Sequence, residues 1–264
     1  MLEIKNVYKT FNPGTINEKK ALNGLNLTLN NGDFVTVIGG NGAGKSTMLN
    51  MIAGVYPVDS GSIIIDGEDV TRLPEHKRAK YLGRVFQDPM MGTAADMWIE
   101  ENMALASRRG QRRGLKWAIN KSEREDFKKM LSELDLGLED RLSAKVGLLS
   151  GGQRQALTLL MAVMKKPKLL LLDEHTAALD PKTAAKVLAL SDKFIAEDKL
   201  TAMMITHNMK DAISYGNRLI MMNNGQIILD VSGEEKKKLT VEYLLEAFSK
   251  LSGAEFTNDR ALLN

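Results

Sequence analysis

One glycine-rich run near the start of this 264-residue chain constrains its fold more than any other feature. Residues 39–47 read GGNGAGKST and match the pattern G-x-x-x-x-G-K-[ST] of a loop that cradles phosphate groups. An apolar, β-branched stretch at Phe34–Ile38 precedes the run, and a helical pattern at Ser46–Ala53 follows it. Because strand, loop and helix in this order are the context that such a loop requires, we predict a nucleoside triphosphate site rather than an accidental glycine-rich turn.

The chemistry of phosphate binding explains the spacing of this run. Glycines let successive backbone N–H groups turn inward where a Cβ would clash, and the helix that follows directs its positive end at the same anion. We expect Lys45 to contact the β- and γ-phosphates and the Ser46 hydroxyl to ligate Mg²⁺. The nucleotide-binding residues predicted from this run are Gly39, Asn41, Gly42, Ala43, Gly44, Lys45, Ser46 and Thr47.

A second motif is an aliphatic strand that ends in two carboxylates. Leu169–Leu172 is followed by Asp173 and Glu174, and a fully apolar strand favours burial on both faces within a parallel sheet. Ligands bind at the carboxyl ends of such strands. We therefore predict that Asp173 holds the Mg²⁺ shell and that Glu174 is the catalytic residue that polarises the attacking water. A strand end capped by solvated acids is the alternative, which the phosphate-loop motif makes less favourable.

A third motif, LSGGQ at residues 149–153, stands at the entrance to a predicted helix at Gln153–Lys165. A serine hydroxyl and two glycine N–H groups at a helix N-terminus form a second anion site, here assigned to the signature residues Ser150, Gly151, Gly152 and Gln153. One chain thus carries two half-sites for phosphate. We expect a head-to-tail homodimer in which each ATP lies between the loop of one subunit and the Ser-Gly-Gly of the other, and an ordinary N-capped helix is the alternative.

These motifs resemble those of the ABC (ATP-binding cassette) ATPases, whose signature LSGGQ is identical to residues 149–153. The resemblance covers almost the whole chain. It implies that Asp180, in a sequence similar to the family's D-loop, binds at the nucleotide interface. It also implies that His207 contacts the γ-phosphate and that Gln87 links Mg²⁺ and the attacking water to a helical lobe. Phe11 resembles the aromatic residue that stacks on adenine, with Tyr8 as the weaker candidate.

One departure from the family pattern is His175, which stands where the family usually has proline. The resulting sequence Asp-Glu-His-Thr at residues 173–176 resembles a subgroup of importer ATPases, some of them associated with uptake of aromatic amino acids. We interpret His175 as a packing residue rather than a catalytic one.

The remaining patterns predict an α/β fold: a phosphate-loop NTPase core with a mixed sheet, an antiparallel β portion near the N-terminus and an inserted helical lobe. We predict a single domain over 1–264, with the core at 1–88 and 160–264 and the helical subdomain at 89–159. Asn223–Gly225 is typical of a hairpin turn. The basic runs at Arg108–Gly114 and Lys236–Lys238 are interpreted as solvated surface. Strand patterns occur at Leu2–Val7, Leu25–Leu29, Phe34–Ile38, Ser62–Ile65, Arg84–Phe86, Leu169–Leu172, Ala202–Thr206, Arg218–Met222 and Ile227–Asp230.

Composition limits the choice of function. A net charge of +3 is a poor basis for nucleic-acid binding, so no nucleic-acid partner is expected. The chain has no cysteine, which excludes disulfides and thiolate metal sites. No apolar run approaches the ~20 residues that a membrane helix needs. Any membrane pathway must therefore come from separate subunits.

We accordingly expect an ATPase, with ATP and Mg²⁺ as cofactors, that works as a homodimer on the cytoplasmic face of the membrane. Its expected partners are permease subunits and an extracytoplasmic substrate-binding protein, and its expected role is to power import of a small solute such as an amino acid. A short permease helix is expected to dock at the turn formed by Asp88–Met91. The alternative is a soluble ABC ATPase with an assembly role, for example in iron–sulfur cluster assembly.

Overall fold

A computed structural model of the chain describes residues 1–111 and 119–252, apart from the side chains of residues 251 and 252. The chain divides into two compact units. One unit contains Met1–Arg78 and Leu200–Asn264, and the other contains Ala79–Lys199. In chain order the elements are β1 (Leu2–Phe11), β2 (Lys19–Leu29), β3 (Phe34–Gly39), α1 (Lys45–Ala53), β4 (Ser60–Ile65), β5 (Glu68–Asp69), α2 (Glu75–Arg78), β6 (Leu82–Val85), α3 (Ile99–Ser107), α4 (Lys121–Ser132), a 3₁₀ turn (Val146–Leu148), α5 (Gly151–Val163), β7 (Leu169–Asp173), α6 (Pro181–Glu197), β8 (Thr201–Ile205), α7 (Met209–Ser214), β9 (Arg218–Asn223), β10 (Gln226–Ser232), α8 (Gly233–Lys236) and α9 (Val241–Ser252).

The first unit contains an antiparallel sheet in the order β2-β1-β4-β5, which confirms the predicted β portion near the N-terminus. Burial largely alternates with exposure along β2, as expected of a strand with one face on the core. Strand β1 runs to Phe11, beyond the predicted end at Val7, because β2 begins at Lys19 and pairs with these extra residues. The extension places Phe11 in a strand instead of a loop.

Strand β3 carries the phosphate loop and lies between β8 and β9, parallel to both. All six of its residues are buried, since neighbours cover both faces. Strand β10 returns antiparallel to β9, so the sheet is mixed, as predicted. The connection between them is the predicted hairpin turn, with Asn224 and Gly225 at φ +46° and +75°.

In the second unit β6 pairs with β7 in parallel, and α5 packs against β6 at Gly83. A Cβ on Gly83 would lie 2.5 Å from the carbonyl oxygen of Ala162, so only glycine allows this approach. Within the described part of residues 90–149 the backbone is helical or irregular, apart from one isolated bridge between Trp98 and Lys145. The helical lobe is thus present, while its boundaries at 89 and 159 stay a prediction.

Two basic side chains correct the interpretation of the charged runs as solvated surface. Arg109 donates from Nη2 to the carbonyl oxygen of Ala162 at 2.8 Å, and burial lowers its pKa. Lys236 is buried and donates to the carbonyl oxygens of Tyr215 and Gly216, and burial lowers its pKa to about 8. Each side chain offers its donors to main-chain carbonyls inside its own unit. Residues 112–114 of the first run lie outside the described part of the chain.

Candidate nucleotide-binding site

The phosphate loop turns tightly between β3 and α1, and two of its glycines are required by close backbone contacts. Gly39 has φ +151°, and a Cβ there would lie 2.3 Å from the carbonyl oxygen of Met222. Gly44 has φ +102°, and its Cβ would lie 2.6 Å from the carbonyl oxygen of Ala21. Helix α1 begins at Lys45 without a side-chain cap. Its first N–H groups are therefore positioned to donate to an anion held by the loop.

Lys45 lies within this loop. Its side chain is buried, and Nζ donates to the carbonyl oxygens of Gly39 at 2.7 Å and Gly40 at 3.1 Å. Phosphate oxygens could replace these carbonyl partners, because both are acceptors for the same ammonium. The next side chain, Ser46, is exposed, so its hydroxyl is available as an oxygen ligand.

His207 lies at the same edge of the sheet as the phosphate loop. Strands β3 and β8 are parallel, with Val37 opposite Ile205, so the chain reaches Gly39 and His207 two residues beyond this pair. The backbone around His207 is fixed on its C-terminal side, since the Asn208 side chain caps α7 by accepting from two backbone N–H groups. His207, which is predicted to contact the γ-phosphate, therefore lies at the edge of the sheet that also holds the phosphate loop.

Phe11 ends β1 and has an aromatic support that the sequence analysis missed. Its ring packs edge to face against Tyr56, with the ring centroids 5.3 Å apart. Tyr8, the weaker candidate for the adenine platform, lies beside Gly24: a Cβ on that glycine would be 2.9 Å from the Tyr8 hydroxyl oxygen.

In the second unit the carboxyl ends of β6 and β7 bring the other predicted catalytic residues to one edge. Val85 pairs with Leu172, so Gln87 and Glu174 each follow this pair by two residues. Asp173 is partly buried, and its Oδ2 lies 3.6 Å from Nη2 of Arg84, a cation that sequence reasoning did not identify.

Glu174 is held in an uncommon backbone conformation. Its φ is +46°, in the left-handed region, and this conformation costs free energy in a residue that has a Cβ. The carbonyl oxygen of Glu174 accepts from the backbone N–H of Ala177 at 3.0 Å, which closes the turn behind it. The turn directs the chain away from the strand direction directly after Asp173, so the two carboxylates do not simply alternate as they would along a strand.

The signature run opens α5 with a capping box. Ser150 Oγ accepts from the backbone N–H of Gln153 at 3.2 Å, and the Gln153 side chain accepts from the backbone N–H of Ser150. A Cβ on Gly152 would lie 2.1 Å from Cγ2 of Thr183, so a side chain here would displace the Thr183 methyl group of α6. The structural alternative, an N-capped helix, therefore describes these residues too, and their role toward a nucleotide stays a prediction.

Asp180 caps the neighbouring helix α6. Its carboxylate accepts from the backbone N–H of Thr183 at 3.1 Å, and Pro181 occupies the first helical position, as its fixed φ favours. Hydrogen bonds from the Thr183 side chain and backbone hold the pKa of Asp180 below its usual value. The carboxylate is consequently ionised at neutral pH, and it is exposed.

His175 is a buried packing residue, in agreement with the sequence-based interpretation. Its side chain is 2% exposed, and Nε2 lies 3.0 Å from Oγ of Ser191. The Ser191 hydroxyl donates to the carbonyl oxygen of Val187 at 2.9 Å, so Oγ is left to accept from His175. Burial lowers the pKa of His175 to about 4, and the imidazole is neutral at pH 7.

The phosphate loop between β3 and α1 in the first unit and the strand β7 that ends in acidic residues in the second are the elements of a phosphate-loop NTPase. A family model described as ABC transporter matches residues 22–177. The chain is 46% identical over 253 residues to the tyrosine transport ATP-binding protein of Clostridioides difficile, covering 94% of this chain and 98% of that protein. It is 35% identical to the spermidine/putrescine import ATP-binding protein PotA of Haemophilus influenzae, over 89% of this chain but only 59% of that protein.

Solved structures agree with these relatives. The fold matches a dimeric, post-hydrolysis ATP-binding cassette bound to ADP and Pi, with TM-score 0.75 and 30% identity, over 88% of this chain and 98% of that one. The chain therefore belongs to the ABC transporter family, and it is an ATPase. Within the described ranges, the helices are too short or too polar to cross a bilayer.

Proposed function

We propose that two copies of this chain close head to tail on two Mg·ATP and that this closure powers import of a small solute through separate permease subunits. The observation that supports this proposal best is the phosphate loop, in which Lys45 is already buried among main-chain carbonyls. ATP bound to both copies would favour the closed dimer, and hydrolysis would remove that preference. The free energy of ATP hydrolysis is thereby used to move a partner subunit.

Three side chains offer the oxygen donors that Mg²⁺ prefers. The Ser46 hydroxyl, the Gln87 side-chain amide and the Asp173 carboxylate would hold the ion, and the hard oxygen chemistry of this set fits it. Bound Mg²⁺ neutralises charge that develops on the phosphates. Glu174 accepts a proton from the attacking water, and His207 donates to the γ-phosphate. The signature run of the other copy would complete the anion site, with Asp180 beside it.

We infer that the transported solute is an aromatic amino acid. The relative at 46% identity is named for tyrosine transport, and it matches this chain nearly end to end. This assignment implies a location on the cytoplasmic face of the membrane and an extracytoplasmic protein that delivers the solute. The assembly role considered as an alternative is not favoured, since the relatives named above carry transport or import in their names.

Reconstitution of the chain with its permease tests the proposal. In proteoliposomes, ATP should drive accumulation of labelled tyrosine, and solute with its delivery protein should stimulate ATP hydrolysis. Lys45→Ala should abolish both signals because it removes the charge on the β- and γ-phosphates. ATP hydrolysis that no aromatic amino acid stimulates, in a complex that is otherwise assembled, would contradict the solute class and leave the ATPase assignment intact.

A further inference from the structure

We propose that Lys19 is a second cation of the nucleotide site and contacts the polyphosphate of bound ATP. The inference rests on the proposed function and adds a binding residue outside the motifs that define the family. Lys19 is the first residue of β2 and pairs with Phe11, the last residue of β1. Side chains of directly paired residues lie on the same face of an antiparallel ladder. Lys19 and Phe11, the residue proposed to stack on adenine, therefore share one face of the hairpin formed by β1 and β2.

The Lys19 ammonium lies beside the phosphate loop. Nζ is 3.1 Å from the position that a Cβ on Gly42 would occupy, and Cε is 3.9 Å from it. Gly42 stands in the middle of the loop, has φ +80° and is exposed. The hairpin therefore delivers a positive charge to the open side of the loop, where the N–H groups of the loop turn toward an anion.

Two other lysines of this unit are already engaged. Lys45 donates to the carbonyl oxygens of Gly39 and Gly40 from inside the loop. Lys9 is buried on β1 and forms an ion pair with Asp59 at 2.8 Å. Lys19, in contrast, has an exposed side chain. Its ammonium can therefore bind a ligand without breaking buried contacts.

A lysine in this position acts as a mobile point charge, which suits a polyphosphate. For an exposed charge-assisted hydrogen bond to a multiply charged ligand, we expect a contribution of roughly three- to tenfold in affinity. Salt should screen this contribution, since the ammonium is open to solvent.

The chain supplies a matched control in the next residue. Lys20 is also exposed, but it pairs with Thr10, and consecutive residues of a strand point to opposite faces. Lys19→Ala and Lys20→Ala remove the same charge one residue apart. Lys19→Gln serves as a second variant that retains much of the aliphatic stem, and the melting temperature of each variant reports on folding.

The experiment measures binding of ATP, ADP and AMP by isothermal titration at two salt concentrations. Lys19→Ala and Lys19→Gln should weaken ATP and ADP binding by roughly three- to tenfold at low salt, and AMP binding less. Lys20→Ala should match the wild type. Equal ATP affinity in the Lys19 and Lys20 variants, or an equal loss for AMP and ATP, would overturn the proposal. A wild type that binds no ATP would instead contradict the proposed function.

Discussion

At the residue scale, the most consequential side chain is Glu174. It follows Asp173 at the end of β7 and has a positive φ, so its backbone leaves the strand direction. A residue with a Cβ adopts this conformation at a cost in free energy, because its Cβ crowds the following carbonyl. The conformation fits a carboxylate that has to be aimed separately from Asp173, the proposed metal ligand.

This geometry predicts a split phenotype for Glu174→Gln. The amide keeps the shape and hydrogen bonding of the carboxylate but cannot accept a proton, so turnover should fall by roughly 10²- to 10⁴-fold while ATP binding persists. The variant should elute as an ATP-bound dimer in size-exclusion chromatography. Turnover within a few-fold of the wild-type rate would show that another group activates the water.

His175 gives a prediction about stability and pH. Its folded pKa of about 4 lies below the ordinary value of 6.5 because burial disfavours the charged imidazole. A depressed folded pKa means that the neutral side chain stabilises the fold fully above about pH 6.5, and that this stability is lost as pH falls toward 4. The shift corresponds to roughly 3 kcal/mol once the loss is complete.

Urea unfolding of the wild type and of His175→Gln between pH 7.5 and 4.5 measures how much His175 contributes to the pH dependence of the free energy of unfolding. The wild type should lose stability more steeply with falling pH than the variant, since glutamine does not titrate. Other titrating groups contribute equally to both proteins, so the difference between the two slopes isolates the imidazole. Parallel slopes would mean that His175 becomes protonated in the folded protein without cost.

At the scale of elements, the sequence could predict what depends on local patterns. The phosphate loop, the aliphatic strand β7 and the hairpin turn at Asn224 are each encoded within about ten consecutive residues. Their steric requirements, a positive φ or burial on both faces, select residue types that are visible in the sequence. The mixed sheet and the helical lobe followed from the order of these elements.

Features that depend on partners distant in sequence could not be predicted in the same way. The Tyr56 ring beside Phe11 and the Arg84 guanidinium beside Asp173 depend on strand register and side-chain direction. Lys236 illustrates the same limit, because a run of lysines normally indicates solvated surface. Its burial follows from two main-chain carbonyls, those of Tyr215 and Gly216, that need donors.

At the scale of the whole molecule, function requires that the chain transmit the state of its nucleotide to a membrane partner. The turn after Gln87 is suited to this task. Met90 and Met91 are 45% and 70% exposed, and methionine offers an adaptable apolar surface to a partner helix. Arg154 of α5 places Nη1 against the Met90 sulfur, and its Nη2 donates to the carbonyl oxygens of Gly147, just before the signature run, and of Leu149, the first residue of that run. The turn is therefore the proposed docking surface and also contacts the signature helix α5 through Met90.

We therefore expect that replacing Met90 and Met91 by Asp uncouples the ATPase from its permease. Two carboxylates on the docking surface would have to be desolvated against an apolar partner, whereas the phosphate loop is untouched. Basal ATPase activity of the isolated subunit should stay near the wild-type rate, while solute-stimulated hydrolysis and transport should fall at least roughly tenfold. Tyr243→Asp, at a comparably exposed apolar side chain of α9, is the matched control and should leave both intact. Because Met90 also contacts Arg154, the single variant Met91→Asp separates docking from the internal contact. Wild-type transport by the single and double variants alike would place the permease contact elsewhere on the chain.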